Sequence, residues 1–232
     1  MVKAGLIENI SGIYKRLSHA AMRAGRNPGD VLLIAVSKGV SVELMREAAE
    51  AGLRVFGESR VQEAVKKAAE LETASSGIRW HMIGHLQKNK AGAAVGLFEL
   101  IHSLDSVELA SLINRHASGK GKVQRVLMEV NLSGERSKHG IGKDEIGSLI
   151  KAAAKMENIS VEGLMTIPPY SDDPEASRPY YKELKELADG YGLRELSMGM
   201  TGDFEVAVEE GATMVRVGTA IFGERIKANI GE

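Results

Sequence analysis

The sequence contains no cysteine, which excludes disulfides, thiolate nucleophiles and cysteine-based metal sites. It also lacks an excess of either charge, because 30 basic and 31 acidic residues give a formal net charge of −1. No block of like charge favours a nucleic-acid or membrane partner. No apolar run approaches the ~20 residues that cross a bilayer, and residues 1–17 alternate charged and apolar side chains in a helical rhythm, unlike a signal peptide. We therefore expect a soluble cytoplasmic protein with neither nucleic acid nor membrane as a partner.

Short runs rich in β-branched residues alternate with amphipathic stretches along the 232 residues, 44% of which are apolar. The predicted strands cover 31–37, 54–58, 78–84, 99–104, 123–132, 161–167, 195–200 and 214–222. The predicted helices include 42–52, 61–72 and 144–156, and Gly52, Gly192 and Gly211 follow helices, where a left-handed cap favours glycine. Eight such units predict an α/β fold, a single-domain (β/α)8 TIM-like barrel over residues 1–232 with an extra N-terminal helix. An open doubly wound sheet is the alternative.

Polar residues cluster at the predicted strand ends, where barrels of this kind hold their active sites. They are Lys38, Glu58, His85, Asn131, Thr201, Gly218 and Thr219. Lys38 ends an otherwise apolar strand, so we expect its side chain at a partly desolvated mouth, where desolvation favours the neutral amine that attacks an aldehyde. The alternative is a lysine that simply reaches solvent or pairs with Glu58.

The stretch 197–223 contains glycine-rich turns after the last two predicted strands. Phosphate sites in such barrels are typically built from these two loops and a helix N-terminus. Thr201 and Gly202 precede a helix predicted to begin near Asp203, while Gly218 and Thr219 offer backbone N–H groups and a hydroxyl. The alternative is that the glycines serve only tight turns.

Several ordered motifs extend over most of the chain. They are AVSKGV (35–40), FGESRVQE (56–63), RWHMIGHLQKNK (79–90), HSLDS (102–106), EVNLSGERSKHGI (129–141), GLMTIPP (163–169) and SMGMTGDFEVAVEEGATMVRVGTAIFGER (197–225). In these motifs the sequence closely resembles the pyridoxal phosphate homeostasis proteins, single-domain relatives of the alanine racemase barrel. The resemblance implies that Lys38 carries pyridoxal 5'-phosphate (PLP) as an imine and that Thr201, Gly218 and Thr219 bind its phosphate. It also implies a role in PLP homeostasis and delivery, with apo forms of PLP-dependent enzymes as partners, and we expect a monomer.

The resemblance further implies that Arg216 faces the pyridine nitrogen of the cofactor. Arg216 lies two residues before Gly218 and should share its strand face. Its charge would keep the ring nitrogen unprotonated, which makes the ring a poorer electron sink. Two positions depart from the family pattern. Ser59, a predicted cofactor contact, replaces the usual asparagine and lacks its amide donors, whereas Thr201 replaces a serine and keeps the hydroxyl.

His81 and His85 are four residues apart, which places them on one face of a strand. A metal pair is one interpretation, but no third ligand clusters with them, so we expect no metal site. His81 is instead predicted to lie beside the cofactor ring, with a satisfied core histidine as the alternative. Lys138 lies in the charged stretch 134–140, which is typical of a solvated loop, and from there it would reach the mouth as a second amine.

A PLP carrier and a racemase-like PLP enzyme are the two functional classes to separate. Racemisation needs acid/base groups on both faces of the imine. In the racemase relatives one of them is a tyrosine from a second, all-β domain, which we expect to be absent because the sequence ends at Glu232. Of the five tyrosines, only Tyr170 is predicted near the mouth. A phosphate-sugar enzyme, a third class, would need Glu58 as its base. We therefore predict a carrier and not an enzyme.

Overall fold

The structure, a computed structural model, describes residues 4–71, 77–135 and 137–224. Within them eight parallel strands close into a barrel in chain order, and the eighth strand pairs with the first. The strands are β1 (Leu32–Val36), β2 (Val55–Glu58), β3 (Arg79–Met82), β4 (Leu100–Leu104), β5 (Gln124–Glu129), β6 (Ile159–Met165), β7 (Glu195–Met200) and β8 (Met214–Val217). The helices are α1 (Ala4–Arg23), α2 (Val42–Glu50), α3 (Val61–Leu71), α4 (Ala91–Leu97), α5 (Val107–Ser118), α6 (Ile146–Ala153), α7 (Arg178–Gly190), α8 (Phe204–Glu209) and α9 (Thr219–Phe222). The predicted TIM-like barrel is confirmed, and the open-sheet alternative is wrong.

The extra N-terminal helix is also confirmed. Helix α1 packs against α8 and α9, the helices that follow the last two strands. Its buried face carries apolar side chains at helical spacing, namely Leu6, Ile10, Ile13 and Leu17. The Arg16 guanidinium lies 4.6 Å from the centroid of the Phe204 ring and forms a 2.8 Å ion pair with Glu205. Helix α1 therefore supports, from outside the barrel, the segments that follow β7 and β8.

The barrel interior is packed and is not a pore. One apolar cluster fills it, made of Ile34, Val55, Leu100, Leu127, Met165 and Met214, and a larger cluster lies between the strands and the helices. Side chains alternate between the two faces of a strand, so the residue two positions further along points to the same side. Glu129 follows Leu127 and Arg216 follows Met214 in this way. Both side chains therefore lie above the apolar layer, toward the carboxyl ends of the strands.

Strand β8 ends earlier than the apolar run 214–222 predicted. After Val217 the chain turns at Gly218 into α9, where the N–H groups of Ile221 and Phe222 both donate to the Gly218 carbonyl oxygen at 2.9 Å. Ile221 is buried in the outer cluster, and a short apolar run does not by itself distinguish a buried strand from a buried helical turn. Strand β5 likewise ends at Glu129 and not at 132.

The predicted helix caps are confirmed, because Gly52, Gly192 and Gly211 have φ values of 102°, 68° and 102°. Glu72, the predicted last residue of the 61–72 helix, lies outside the described residues. In the part of the chain that the structure describes, no helix combines the length and apolar character needed to cross a membrane.

Candidate functional site

A cavity of about 510 Å³ opens at the carboxyl ends of the strands. Every predicted site residue except His81 lines it, namely Lys38, Ser59, Thr201, Arg216, Gly218 and Thr219. The cavity is also lined by Glu129, the last residue of β5, and by residues that follow β3, β5 and β6, namely His85, His139, Ile167 and Tyr170. The expectation that the site lies at the carboxyl ends of the strands is therefore consistent with this cavity, and it identified part of the lining from the sequence.

Lys38 lies in a turn just after β1, which ends at Val36 and not at Ser37 as predicted. Lys38 is exposed and lines the cavity wall, and its partial desolvation there stays a prediction. The turn is closed by a hydrogen bond of 2.9 Å from the Val40 N–H to the Ser37 carbonyl oxygen. An amine on a closed turn at the rim is accessible to a ligand that enters the cavity.

Glu58, at the end of β2, points away from the cavity lining into a buried cluster. Its Oε1 accepts hydrogen bonds of 2.8 Å from the Lys67 ammonium and from the Ser37 hydroxyl. Burial raises the pKa of Glu58, although the hydrogen bond and charge of Lys67 oppose that effect. Glu58 Oε1 is therefore engaged behind the site, and Glu58 is not among the residues that line the cavity.

The loops after β7 and β8 meet at Thr201. Its Oγ1 accepts hydrogen bonds from the Gly218 N–H at 3.4 Å and from the Thr219 hydroxyl at 3.2 Å. Gly202 lies beside them on the cavity wall, and a Cβ placed there would meet no atom within 4 Å. The two loops thus form an open cradle of hydroxyl and N–H donors, defined here as residues 201–202 and 218–219.

Asp203 and Tyr181 hold the first of these loops, and sequence reasoning did not identify either as a site residue. Asp203 Oδ1 accepts a 2.7 Å hydrogen bond from the Met200 N–H, while Oδ2 accepts from the hydroxyls of Tyr181 at 2.6 Å and Ser177 at 2.8 Å. Gly199 allows the tight approach before the loop, because a Cβ there would lie 2.5 Å from that of Ala207. Only the position of Asp203, at the start of α8, could be read from the sequence.

Arg216 lines the cavity floor, and its guanidinium is buried. Nη1 donates to the Ser197 hydroxyl at 2.5 Å and Nη2 donates to the Thr166 carbonyl oxygen at 2.9 Å. Burial lowers the pKa of Arg216, and the nearby Tyr181, Asp203 and Glu129 oppose that shift. An arginine side chain has donors and no acceptor, so this part of the floor presents a fixed cationic donor to a ligand.

His81 is buried in the barrel interior and is not among the residues that line the cavity, so its place beside the cofactor ring stays a prediction. Its Nδ1 is 3.0 Å from Nε2 of His102, whose Nδ1 is 2.8 Å from the Ser197 hydroxyl. Burial lowers the pKa of His81 to about 3 and that of His102 well below its ordinary range. Both imidazoles are therefore neutral near pH 7, and His81 reaches Arg216 only through His102 and Ser197.

His85 lies at the rim, apart from His81. Its Nδ1 is 3.3 Å from Asp105 Oδ2, and its ring stacks on that of His139 with 4.0 Å between the centroids. Among the described residues, no group of three or more histidine, aspartate or glutamate side chains is arranged to hold a metal ion. The separation arises because β3 ends at Met82, so the alternation that linked the two histidines stops before His85.

Glu129 is the site residue that sequence reasoning missed most clearly. It is 7% exposed, and its Oε2 has no hydrogen-bond partner among residues 4–71, 77–135 and 137–224. Burial raises its pKa to about 7, the charge of Asp105 adds to this shift and that of Arg216 opposes it. Its place as the last residue of β5 was the signal that could have identified it.

Lys138 and Tyr170 flank the mouth. Lys138 lines an adjoining cavity of about 210 Å³ that shares Glu129, His139 and Ile167 with the main one. Its ammonium donates to the Ile167 carbonyl oxygen at 3.3 Å. Tyr170 lines the main cavity as expected, but it is 90% exposed and its hydroxyl donates to Asp172 at 2.6 Å.

Comparison with known proteins identifies the family. The model of the alanine racemase N-terminal domain matches residues 14–226. The pyridoxal phosphate homeostasis protein of Aquifex aeolicus is 45% identical over 224 residues, which cover 94% of this chain and 97% of that protein. A solved structure of an unknown protein from Bifidobacterium adolescentis is 36% identical, with a TM-score of 0.87 and 94% coverage of both chains.

The structure of PipY from Synechococcus elongatus with PLP bound is 37% identical to this chain. Its TM-score is 0.80, and the match covers 91% of this chain and 100% of PipY. Identity at this level, sustained over nearly the full length of the relatives, shows that the chain belongs to the pyridoxal phosphate homeostasis proteins within the alanine racemase N-terminal domain family.

Proposed function

We propose that this protein binds PLP in the cavity at the strand ends, holds it as an imine on Lys38 and delivers it to other proteins without turning over a substrate. The observation that carries the proposal is the presence, in one cavity, of the Lys38 amine and the cradle at 201–202 and 218–219. An aldehyde that also bears a phosphate uses both features at once. The PLP bound in the structure of PipY gives independent support.

The residues present fit this cofactor at both of its ends. The Thr201 and Thr219 hydroxyls and the Gly218 N–H can donate to phosphate oxygens, and the space beside Gly202 leaves room for the anion. Arg216 and the residues after β3 and β6 would surround the ring. Ser59 also lines the cavity and retains one hydroxyl for a cofactor contact.

Bound PLP supplies an aldehyde carbon that condenses with a primary amine. In this condensation the neutral Lys38 amine forms a C=N bond to that carbon, and the aldehyde oxygen leaves as water. Addition of water, or exchange with another amine, reverses the link and frees Lys38. Because Lys38 is at an exposed rim, such exchange is open to solvent amines, which suits a carrier.

The floor of the site favours storage over catalysis. The Arg216 guanidinium cannot accept a proton, and its charge disfavours a protonated pyridine nitrogen beside it. The two histidines behind Arg216 do not offset that charge, because His102 and His81 are both neutral near pH 7. A ring with an unprotonated nitrogen is a weaker electron sink, so carbanion chemistry is suppressed.

A racemase-like enzyme is the second candidate, and Glu129 is the observation that favours it. A carboxyl group with a pKa of about 7 is a competent acid/base group at neutral pH. Racemisation also needs a group on the opposite face. Tyr170, alone among the tyrosines of the described chain, lines the cavity, and its hydroxyl is bonded to Asp172. The carrier is therefore the function that the geometry supports best.

We further propose that the protein is a cytoplasmic monomer of one domain whose partners are apo forms of PLP-dependent enzymes. The primary test of the function is borohydride reduction of the PLP-loaded protein followed by peptide mass mapping. We expect the pyridoxyl group on Lys38 and loss of the imine absorbance in Lys38→Ala. A label found mainly on another lysine, with Lys138→Ala as the matched comparison, would contradict the assignment.

A further inference from the structure

A buried ammonium lies directly behind the turn that carries Lys38. Lys67, on α3, is 7% exposed, and its Nζ donates to the Ser37 carbonyl oxygen at 2.7 Å, to Glu58 Oε1 at 2.8 Å and to Glu63 Oε1 at 2.6 Å. An ammonium has three donors. All three donors of Lys67 are therefore satisfied by acceptors from β2, α3 and the turn.

These contacts hold the chain on both sides of Lys38. The Ser37 carbonyl oxygen is bound by Lys67 directly, and the Ser37 hydroxyl donates to Glu58 Oε1 at 2.8 Å. On the other side, the Gly39 N–H donates to Glu63 Oε1 at 2.7 Å. The residues before and after Lys38 are thus fixed to one cluster, defined here as Lys67, Glu58 and Glu63.

Burying the charged groups of this cluster costs free energy, which argues that the cluster has a role beyond stability. Taking charged groups out of water is expensive, and apolar residues of similar volume stabilise a core at least as well. Burial raises the pKa of Glu58. Burial also opposes ionisation of Glu63, but hydrogen bonds from Lys67 and the Gly39 N–H outweigh it and lower the pKa of Glu63. The turn itself is already closed by Val40 N–H and needs no ion pair to form.

We propose that Lys67, acting through Glu58 and Glu63, is a positioning residue that fixes the turn at 37–39 so that the Lys38 amine meets an aldehyde held by the phosphate cradle. This inference rests on the proposed function, because it assumes that Lys38 forms the imine. Holding an amine at the correct place raises its effective concentration at the aldehyde carbon. The cradle is built on β7 and β8, so loosening the turn leaves the phosphate contacts in place.

The experiment compares two ligands that differ only at the reacting carbon. PLP has the aldehyde, whereas pyridoxine 5'-phosphate carries an alcohol there and binds without an imine. The variants are Lys67→Met, which removes the ammonium, and Glu63→Ala, which frees Gly39 but leaves the buried Lys67–Glu58 pair intact. We expect the Kd for PLP to rise about tenfold in Glu63→Ala and further in Lys67→Met. The Kd for pyridoxine 5'-phosphate should stay within about twofold of wild type in both variants.

Two controls match these variants outside the site. Asp189→Ala removes an exposed i,i+4 ion pair with Lys185 on α7. Lys122→Met removes a partly buried ammonium that donates to the Val95 carbonyl oxygen at 3.1 Å, just before β5 at the opposite end of the barrel. Neither control should change the ratio of the two dissociation constants. Where Lys67→Met fails to fold, Glu63→Ala decides the question.

The outcomes separate the two proposals. Equal weakening of both ligands, or no change for PLP in Glu63→Ala, would overturn the positioning role and leave the cluster a purely structural one. If wild-type protein and Lys38→Ala bind PLP equally well, the imine on Lys38 is wrong, and the positioning role fails with it. Both proposals are supported if Glu63→Ala and Lys67→Met lose affinity for PLP but not for pyridoxine 5'-phosphate. Lys38→Ala, which cannot form this imine, then sets the lower limit of PLP affinity.

Discussion

The Arg216 guanidinium and the Ser197 hydroxyl lie 2.5 Å apart inside the barrel, with Arg216 as the donor. Ser197 is fully buried and also contacts His102 at 2.8 Å, so one hydroxyl joins the cavity floor to the interior histidines. Since Arg216 has already donated to Ser197, the Ser197 proton is left for His102 Nδ1. This order of donors fixes the orientation of Arg216 without placing another charge beneath the site.

We predict that Ser197→Ala lowers the free energy of unfolding by about 2–3 kcal/mol, because it leaves a buried guanidinium nitrogen and a buried imidazole nitrogen without a partner. Urea denaturation measures the change. The matched control is Ser111→Ala, which removes an exposed hydroxyl bonded to the Val107 carbonyl oxygen and should change stability by no more than about 0.5 kcal/mol. Equal effects of the two substitutions would show that the Arg216–Ser197 contact does not stabilise the floor.

Glu129 predicts a pH dependence of stability. Its folded pKa of about 7 lies above the ordinary value of 4.5, so the folded state binds the proton more tightly than the unfolded state does. The stability from the protonated form is fully present below about pH 4.5 and is lost as the pH rises to about 7. From that difference, ionisation should cost about 3 kcal/mol above pH 7.

Glu129→Gln, which mimics the protonated carboxyl, is the variant that tests this effect. Wild type and variant should have similar free energies of unfolding at pH 5, and the variant should be the more stable at pH 8. Glu135→Gln, at an exposed position after β5, should show no such trend. A difference between wild type and Glu129→Gln that is constant from pH 5 to pH 8 would mean that Glu129 titrates normally.

The barrel could be predicted because its determinants are local. Each β-branched run and each amphipathic helix is visible within about ten residues of sequence, and parallel order follows from their alternation. The strand-end rule then placed Lys38, Thr201 and Gly218 in one cavity. The strand prediction failed where the local sequence is ambiguous, as at residues 218–222, where an apolar run forms a helical turn against α1.

The remaining parts of the site depend on contacts between distant residues. Lys67 has the sequence context of a solvated lysine on α3, and only the packing of α3 behind β2 buries it against Glu58. His81 alternates with Trp80 and Met82, which pack in the outer cluster, so it faces the interior, but its contact with His102 depends on the neighbouring strand. Asp203 meets Tyr181 across 22 positions of chain. The periodicity of apolar residues in the sequence does not indicate which of these distant residues will be in contact.

If the cradle at 201–202 and 218–219 binds the phosphate as we propose, Thr219→Val should have a ligand-specific effect. A charge-assisted hydrogen bond contributes about 1.5–3 kcal/mol, so the Kd for PLP should rise roughly ten- to hundredfold. Unphosphorylated pyridoxal should bind wild type much more weakly than PLP does, and its affinity should not respond to the substitution. Equal affinities of wild type for pyridoxal and PLP, measured by equilibrium dialysis, would rule out a phosphate site.

The carrier function that we propose predicts that the loaded protein does not exchange α-protons of amino acids. In the proposed function Arg216 weakens the electron sink, and Glu129 and the exposed Tyr170 are the first candidates for an acid/base group on the second face. Incubation with alanine, serine and other amino acids in heavy water should give no more deuterium uptake than free PLP mixed with Lys38→Ala protein. Exchange far above that control would favour the enzyme, and Glu129→Gln and Tyr170→Phe would then identify the base.

The position of Lys138 suggests a route for transfer of the cofactor. It lies in a cavity that shares Glu129, His139 and Ile167 with the main one, so its amine could accept the aldehyde from Lys38 by exchange of one imine for another. Loaded protein should then reactivate an apo-enzyme even when a scavenger removes free PLP. Lys138→Ala should slow this transfer and leave equilibrium loading on Lys38 nearly unchanged, because Lys138 lies outside the lining of the main cavity. Lys143→Ala, which removes an exposed ammonium paired with Glu183, should transfer at the wild-type rate. Reactivation that only matches the spontaneous release of PLP in every variant would show that the protein is a buffer for the cofactor and hands nothing over directly.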